Sequence, residues 1–299
     1  MGKAALRQYL WISVCVLLLV HARSFHLSDV APQDFQMGEA LTVKVNPLTS
    51  TKLQFPHAFY SLGYCRPLKM ADGAEKLGKF LRGDRSENSP YEIRMGSDER
   101  CKILCRRILN AKEAKDFKEK IDDKYRVNMI LDNLPLVVPL ERTEQKNFTV
   151  YQRGFPVGFK GQYAGTKEQK HFIYNHLSFT VKYHLDKETK AARIVGFEVK
   201  PFSVKHTLEH PWGHHLSLTT CNPDAKQEVT SSETPQEVED REDVVFTYDV
   251  HFQASDVKRA SRWETYRSMA DDLIHWFSIA TSGGLSKLSS RRLLPARLL

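Results

Sequence analysis

Between Asn175 and His184 the chain alternates strictly. Leu177, Phe179, Val181 and Tyr183 fall on one face, and His176, Ser178, Thr180, Lys182 and His184 on the other. A period of two marks a half-buried strand, because successive side chains of an extended backbone point to opposite sides. Asp186 to Lys190 is a polar turn, after which Val195, Phe197 and Val199 repeat the alternation, so the segment predicts a hairpin with a loop of several residues. Val244, Phe246, Tyr248, Val250 and Phe252 predict another strand, and residues 41–45, 127–131 and 148–151 predict shorter ones. Helical periodicity is confined to two places. Asn110, with Glu113 three residues later, has the pattern of a capping box ahead of Ala111, Ala114, Phe117 and Ile121. From Ser255 onward, Val257, Ala260, Trp263 and Leu273 suggest a second helix. Strands outnumber helices and do not alternate with them. The expected fold is therefore mainly β, an antiparallel β-sandwich with a few appended helices.

The N-terminus sets the compartment. Residues 1–24 have the pattern of a secretory signal: Lys3 and Arg7 form a positive start, residues 10–20 are an apolar core, and Ala22-Arg23-Ser24 offers small residues for cleavage after Ser24. That core, at about 1.5 Å per residue, falls short of the roughly 30 Å of hydrocarbon that a membrane helix must cross. Cleavage removes Cys15 and leaves Cys65, Cys101, Cys105 and Cys221, an even set that an oxidising lumen turns into disulfides. Three pairings are possible. The favoured reading joins Cys65 to one member of the Cys101/Cys105 pair and Cys221 to the other. Asn147-Phe148-Thr149 is the only N-x-S/T sequon, and a glycan at Asn147 places that segment on the surface.

The formal net charge of +8 belongs to the ends. Lys3, Arg7 and Arg23 lie in the signal, and Lys287, Arg291, Arg292 and Arg297 lie in residues 280–299, with no acid in either stretch. Of 44 Lys and Arg, 37 remain in residues 25–279 against 36 acids, a net of +1. Binding to a polyanion rests on clustered cations that release counterions, so nucleic acid is not an expected partner.

One string carries the pattern of catalytic chemistry. His206-Thr207-Leu208-Glu209-His210, followed by His214, is an H-x-x-E-H sequence that on a helix would set two histidines and a glutamate around zinc. Pro211 and Gly213 oppose such a helix. His206, His210 and His214 are thus metal candidates of low rank, and the expected metal and cofactor content is none. There is no G-x-S-x-G, phosphate-binding loop or dinucleotide fingerprint, and Gly154, Gly158 and Gly161 lack the G-x-G core. No catalytic residue is expected. Residues 222–243, rich in Pro, Ser, Thr and Glu, have the composition of a long acidic loop.

Several strings become familiar in combination: LTVKVNPLTSTKLQFPHAFYSLGYCRP at residues 41–67, LRGDRSENSPYEIRM at 81–95, CKILC at 101–105, FKEKIDDKYRVNMILDNLP at 117–135, RIVGFEVKPFSVKH at 193–206, and FTYDVHFQASDVKRASRWETY with IHWFSI up to residue 279. Together they resemble the nonaspanins, the transmembrane nine superfamily, also called endomembrane protein 70. The resemblance implies a cleaved signal, a large lumenal domain at residues 25–279 and then nine membrane helices. It implies Golgi and endosomal membranes, a role in the sorting of membrane proteins, and membrane-protein cargo or lumenal partners, without catalysis. Ala280 begins a Gly-, Ser- and Arg-rich tail that does not resemble the family and is expected to be disordered. The expectation is a lumenal domain cut from a larger protein, with a zinc-dependent hydrolase or a non-functional truncation product as the other readings.

Overall fold

The computed structural model describes residues 33–68, 86–140, 150–163, 168–186, 188–207, 218–221, 229 and 234–266. The signal, Asn147, His210, His214 and the tail lie outside the described residues. Strand alternation resolves into two facing sheets. The first runs β2 (Glu87–Arg94), β1 (Ala40–Ser50), β4 (Tyr125–Leu131), β5 (Leu134–Pro135), with β8 (Phe155–Pro156) also on β4, and every pair is antiparallel. The second has the order β3 (Glu99–Ile108), β13 (Asp243–Ala254), β11 (His176–Leu185), β12 (Ala192–Phe202), β6 (Val137–Leu140), β7 (Val150–Arg153). A two-stranded ribbon, β9 (Gly158–Gly161) with β10 (Lys170–Ile173), stands apart.

The architecture is mainly β, as the alternation requires, and β11 and β12 form the expected hairpin with Phe179 opposite Val199 and Val181 opposite Phe197. The second sheet, however, is mixed: β13 runs parallel to β11, and β6 parallel to β12. The reason is the long connection after Phe202. β12 ends where β11 begins, so a connection that returns to that end must launch β13 in the direction of β11.

Face-to-face packing follows from aromatic contacts. Tyr91 of β2 meets Phe179 and Tyr248 edge-on, each at 5.2 Å between centroids, and the Tyr248 hydroxyl donates to the Glu92 carbonyl at 3.0 Å. Phe179 and Phe197 stack at 5.6 Å. Each ring so buried contributes roughly 1.5–3 kcal/mol. From Asp34 onward the described residues share one main core drawn from both sheets.

Helix α1 (Ala111–Asp122) is capped as read: Asn110 Oδ1 accepts from the Glu113 amide at 2.9 Å and Glu113 Oε2 from the Asn110 amide at 3.1 Å. Its buried face is Ala114, Phe117 and Ile121. The second helix starts later than Ser255. The Ser255 amide donates to Tyr183 O at 2.8 Å and its carbonyl meets His184 Nδ1 at 3.0 Å, which prolongs the ladder, and α2 is described only over Arg262–Tyr266. Arg262 fastens α2 to the β4–β5 turn through Asp132 Oδ2 at 2.7 Å and to β12 through Ile194 O at 3.0 Å. The glycine spacing also finds its cause. A Cβ on Gly154, at φ +61°, would lie 2.3 Å from Val127 O, and one on Gly158 would lie 2.0 Å from Phe172 O. These positions serve close backbone approach, not phosphate binding.

The registers give the sandwich two distinct ends. Ala40 pairs with Arg94, Val43 with Leu131, Leu185 with Ala192, and Tyr183 with Ala254, which gathers the start of β1 and the finish of β4, β11 and β13 at one end. Ser50 with Tyr125, His176 with Phe202, and Asp243 with Ile108 mark the other.

Candidate functional site

At the His176 end, both faces of β13 are covered. The face turned from the main core carries Val245, Thr247 and Asp249, all buried. Over it lies a small second apolar cluster made of Cys101, Val204, Leu218, Cys221, Val229 and Val245. Cys101 on β3 is joined to Cys221, and Cys65 to Cys105 four residues further along β3. The structure thus brings the four candidate cysteines together in two pairs, one of which pins residues 218–221 over the face.

Beneath that cover runs a continuous hydrogen-bonded chain. Asp249 Oδ1 accepts from the Cys101 amide at 2.6 Å, and Asp249 Oδ2 pairs with His176 Nε2 at 3.1 Å. His176 Nδ1 meets Thr247 Oγ1 at 2.7 Å, and the same hydroxyl meets His206 Nε2 at 2.9 Å. His206 Nδ1 reaches Thr220 Oγ1 at 2.9 Å. Each hydroxyl has one proton, so the tautomers follow from accounting. With His176 neutral, its Nε2–H donates to Asp249, Thr247 donates to His176 Nδ1, His206 donates from Nε2 to Thr247, and Thr220 donates to His206 Nδ1. With His176 protonated, the downstream part reverses: Thr247 donates to His206 Nε2, and His206 donates from Nδ1 to Thr220. Every ring nitrogen keeps a partner in both states.

The electrostatics agree with this chain. Burial, and then the neighbouring His176, push His206 from 6.5 down to about 4, against the pull of Asp249, so its imidazole is neutral near pH 7. Burial would raise Asp249, but the hydrogen bond and charge of His176 and the Cys101 amide outweigh it and hold the carboxyl below its ordinary value. The sign of the pH effect follows. The unfolded chain binds a proton at His206 before the folded one does, so stability is complete above about pH 6.5 and falls as pH drops toward 4, by up to about 3 kcal/mol. The Asp249 share is lost only below the ordinary carboxylate value near 3.8. A series of urea midpoints from pH 7.5 to 4.5 should show the decline in wild type and a flatter line in His206→Gln. His57, lowered by burial and by Lys120, adds in the same direction, so the difference between the two lines isolates His206.

Asn175 buttresses the site. Its Nδ2 donates to Val204 O and Val245 O at 2.8 and 2.9 Å, and its Oδ1 accepts from the Val204 amide at 2.9 Å, joining β11, β13 and the end of β12. Asn175→Ala orphans buried backbone groups and should lower the unfolding free energy by about 2 kcal/mol. Equal denaturation midpoints for the variant and wild type would contradict the clamp.

Chemically, the constellation is closed. His176, Cys221 and Asp249 hold donor atoms within 4.8 Å of one another, the one such metal-type set among the described residues. Cys221 is committed to its disulfide and offers no thiolate, and both nitrogens of His176 are engaged. Both nitrogens of His206 are also taken by threonine hydroxyls, in an extended segment rather than a helix. Outside this hydrogen-bonded chain, Asp122 is bound to His171 Nε2 at 3.0 Å. Sequence reasoning put His176 on the solvent face and gave Thr247 and Asp249 no role. The available signal was the second face of β13, where Val245, Thr247 and Asp249 continue a strand too apolar to lie open on either side.

Comparisons with known proteins are consistent in direction. The family model for endomembrane protein 70 matches residues 56–290. Transmembrane 9 superfamily member 10 of Arabidopsis thaliana is 62% identical over 265 residues, covering 89% of this chain and 42% of that protein. Member 8 of the same organism is 60% identical over 273 residues, with 91% and 42% covered. Transmembrane 9 superfamily member 4 of Homo sapiens is 34% identical over 292 residues, with 91% and 43% covered. The chain therefore spans about two-fifths of the length of these relatives. No solved structure matches it. Among the described residues, no helix is long and apolar enough to cross a membrane.

Proposed function

The chain belongs to the endomembrane protein 70 family, the transmembrane 9 superfamily, and from that premise we propose that it acts as a non-catalytic lumenal domain in the sorting and trafficking of membrane proteins at Golgi and endosomal membranes. The closure of the His176 network carries the non-catalytic part. A catalytic histidine needs a nitrogen, a nucleophile or a water within reach of substrate, and here each ring nitrogen of His176 and His206 is engaged by buried Thr247 or Asp249 or by half-buried Thr220. Among the described residues, no observation favours a zinc-dependent hydrolase. The two disulfides support an oxidising compartment. Recognition of membrane-protein cargo or lumenal partners would then rest on surface complementarity.

The test is expression of the tagged chain in cells. The expected result is an oxidised protein whose mobility shifts with glycosidase, loses that shift in Asn147→Gln, fractionates with Golgi or endosomal markers, and labels membrane proteins in a proximity experiment. An unglycosylated chain with free thiols, or a labelled set identical to that of an inert lumenal reporter, overturns the proposal.

A further inference from the structure

The end of the sandwich opposite the His176 network carries a feature that packing does not explain. Met37, Leu185, Val257 and Trp263 are 55%, 44%, 36% and 49% exposed. They come from four separate segments that contacts bring to one rim. Phe35 bridges Ala192, which pairs with Leu185, and Met37 follows two residues later against Gly96 of the β2–β3 turn. Asp98 of that turn accepts from the Phe252 amide at 2.8 Å, just ahead of Ser255 and Val257. Trp263 stands beside Arg262, which is tied to Asp132 and to Ile194, two residues from Ala192. An apolar rim assembled from four segments, with no cover among the described residues, differs from singly scattered surface residues.

The direction of the chain indicates what covers it. The described residues end at Tyr266, three residues after Trp263 of the rim, with its hydroxyl accepting from the Phe197 amide of β12 at 2.9 Å. The relatives, of which this chain spans two-fifths, are named as transmembrane proteins. Charge identifies the lipid chemistry. Lys190 and Lys258 are exposed at the rim and form no ion pair among the described residues, but Glu188, Asp256 and Glu264 are exposed there too. A rim with two such lysines against three acids gains little from anionic lipid, whereas an indole and aliphatic side chains favour the boundary between headgroups and acyl chains of any bilayer.

We propose that this rim is a membrane-contact surface on which Met37, Leu185, Val257 and Trp263 enter the headgroup region of a bilayer, so that the His176 end faces away from the membrane. The proposal rests on the membrane-linked placement given above and not on any cargo role. It is tested in vitro, so its failure is separable from failure of the trafficking reading. The purified full chain is floated with neutral phosphatidylcholine vesicles and with vesicles containing phosphatidylserine. Binding to both, retained in 0.5 M NaCl, is expected. Each of Leu185→Ser and Trp263→Ser should weaken it by about tenfold, since burying one such side chain is worth at least 1.4 kcal/mol, a factor of ten. Phe55→Ser, which alters an 80% exposed ring on the loop after β1 at the far end, serves as control and should change nothing. Urea midpoints of the variants establish that they are folded.

Absence of flotation at millimolar lipid overturns the proposal. So does equal loss in Phe55→Ser, binding only to phosphatidylserine vesicles at low salt, or binding that depends on residues after Tyr266 and ignores the rim substitutions. Sedimentation of a dimer that Leu185→Ser converts to monomer without altering flotation assigns the rim to a second copy instead.

Discussion

Replacing Cys101 and Cys221 together by alanine should lower the unfolding free energy by about 5 kcal/mol, against about 4 kcal/mol for the Cys65–Cys105 pair. The ranking follows from loop closure: the bridged residues are 120 apart in the first case and 40 in the second, and the entropy removed from the unfolded chain grows with the logarithm of that length. The Cys101–Cys221 bridge also does local work. It holds residues 218–221 over β13, so its loss should free Thr220 from His206 and admit water to the Thr247 hydroxyl. Two readouts check this. Urea unfolding gives the free energy, and the pH dependence assigned to His206 should flatten, because a hydrated imidazole returns toward its ordinary value. A loss under about 2 kcal/mol, with the pH dependence intact, would show that the cover closes without the bridge.

Asp249→Ala should cost about 3–5 kcal/mol, and Asp249→Asn far less. Alanine strands the buried His176 Nε2 and the Cys101 amide with no acceptor. Asparagine keeps Oδ1 for the Cys101 amide and presents an amide donor to His176. The chain can absorb that donor by reversal, with His176 donating from Nδ1 to Thr247, Thr247 donating to His206 Nε2, and His206 donating from Nδ1 to Thr220. The asparagine variant should therefore lie within about 1–2 kcal/mol of wild type. Imidazole nitrogen resonances should show both histidines carrying Nδ1 protons. Equal destabilisation by alanine and asparagine would remove the case for a reversible relay and leave only a buried ion pair.

The local elements were legible because their causes are local. Alternation at Leu177, Phe179, Val181 and Tyr183 records a strand covered on one side, and Asn110 with Glu113 records a cap; both appear as read. The parallel pairing of β13 with β11 was not legible, since periodicity identifies a strand but not its neighbour. The start of α2 was misjudged because apolar spacing after Ser255 cannot reveal the ladder contacts with Tyr183 and His184 that keep the chain extended. His176 was the main misreading. It occupies the polar face of its own strand, but residues 203–207 and 218–221 fold back over that face, so a position that is outward in the hairpin is interior in the domain. Beside the second face of β13, the long connection and its cysteine carried a trace of that cover.

The place of β13 also governs when the domain can exist. It is the last strand among the described residues yet sits between β3 and β11, so β3 has no sheet partner, and β11 only β12, until Ala254 has been delivered. At about 5–20 residues per second, ribosomal delivery of the chain up to that point takes roughly 10–50 s. During that interval the Phe179 and Phe197 hairpin has an unpaired edge along β11, and Cys101 waits for Cys221. A nascent chain stopped before residue 243 thus holds an unfinished second sheet, with a gap between β3 and β11.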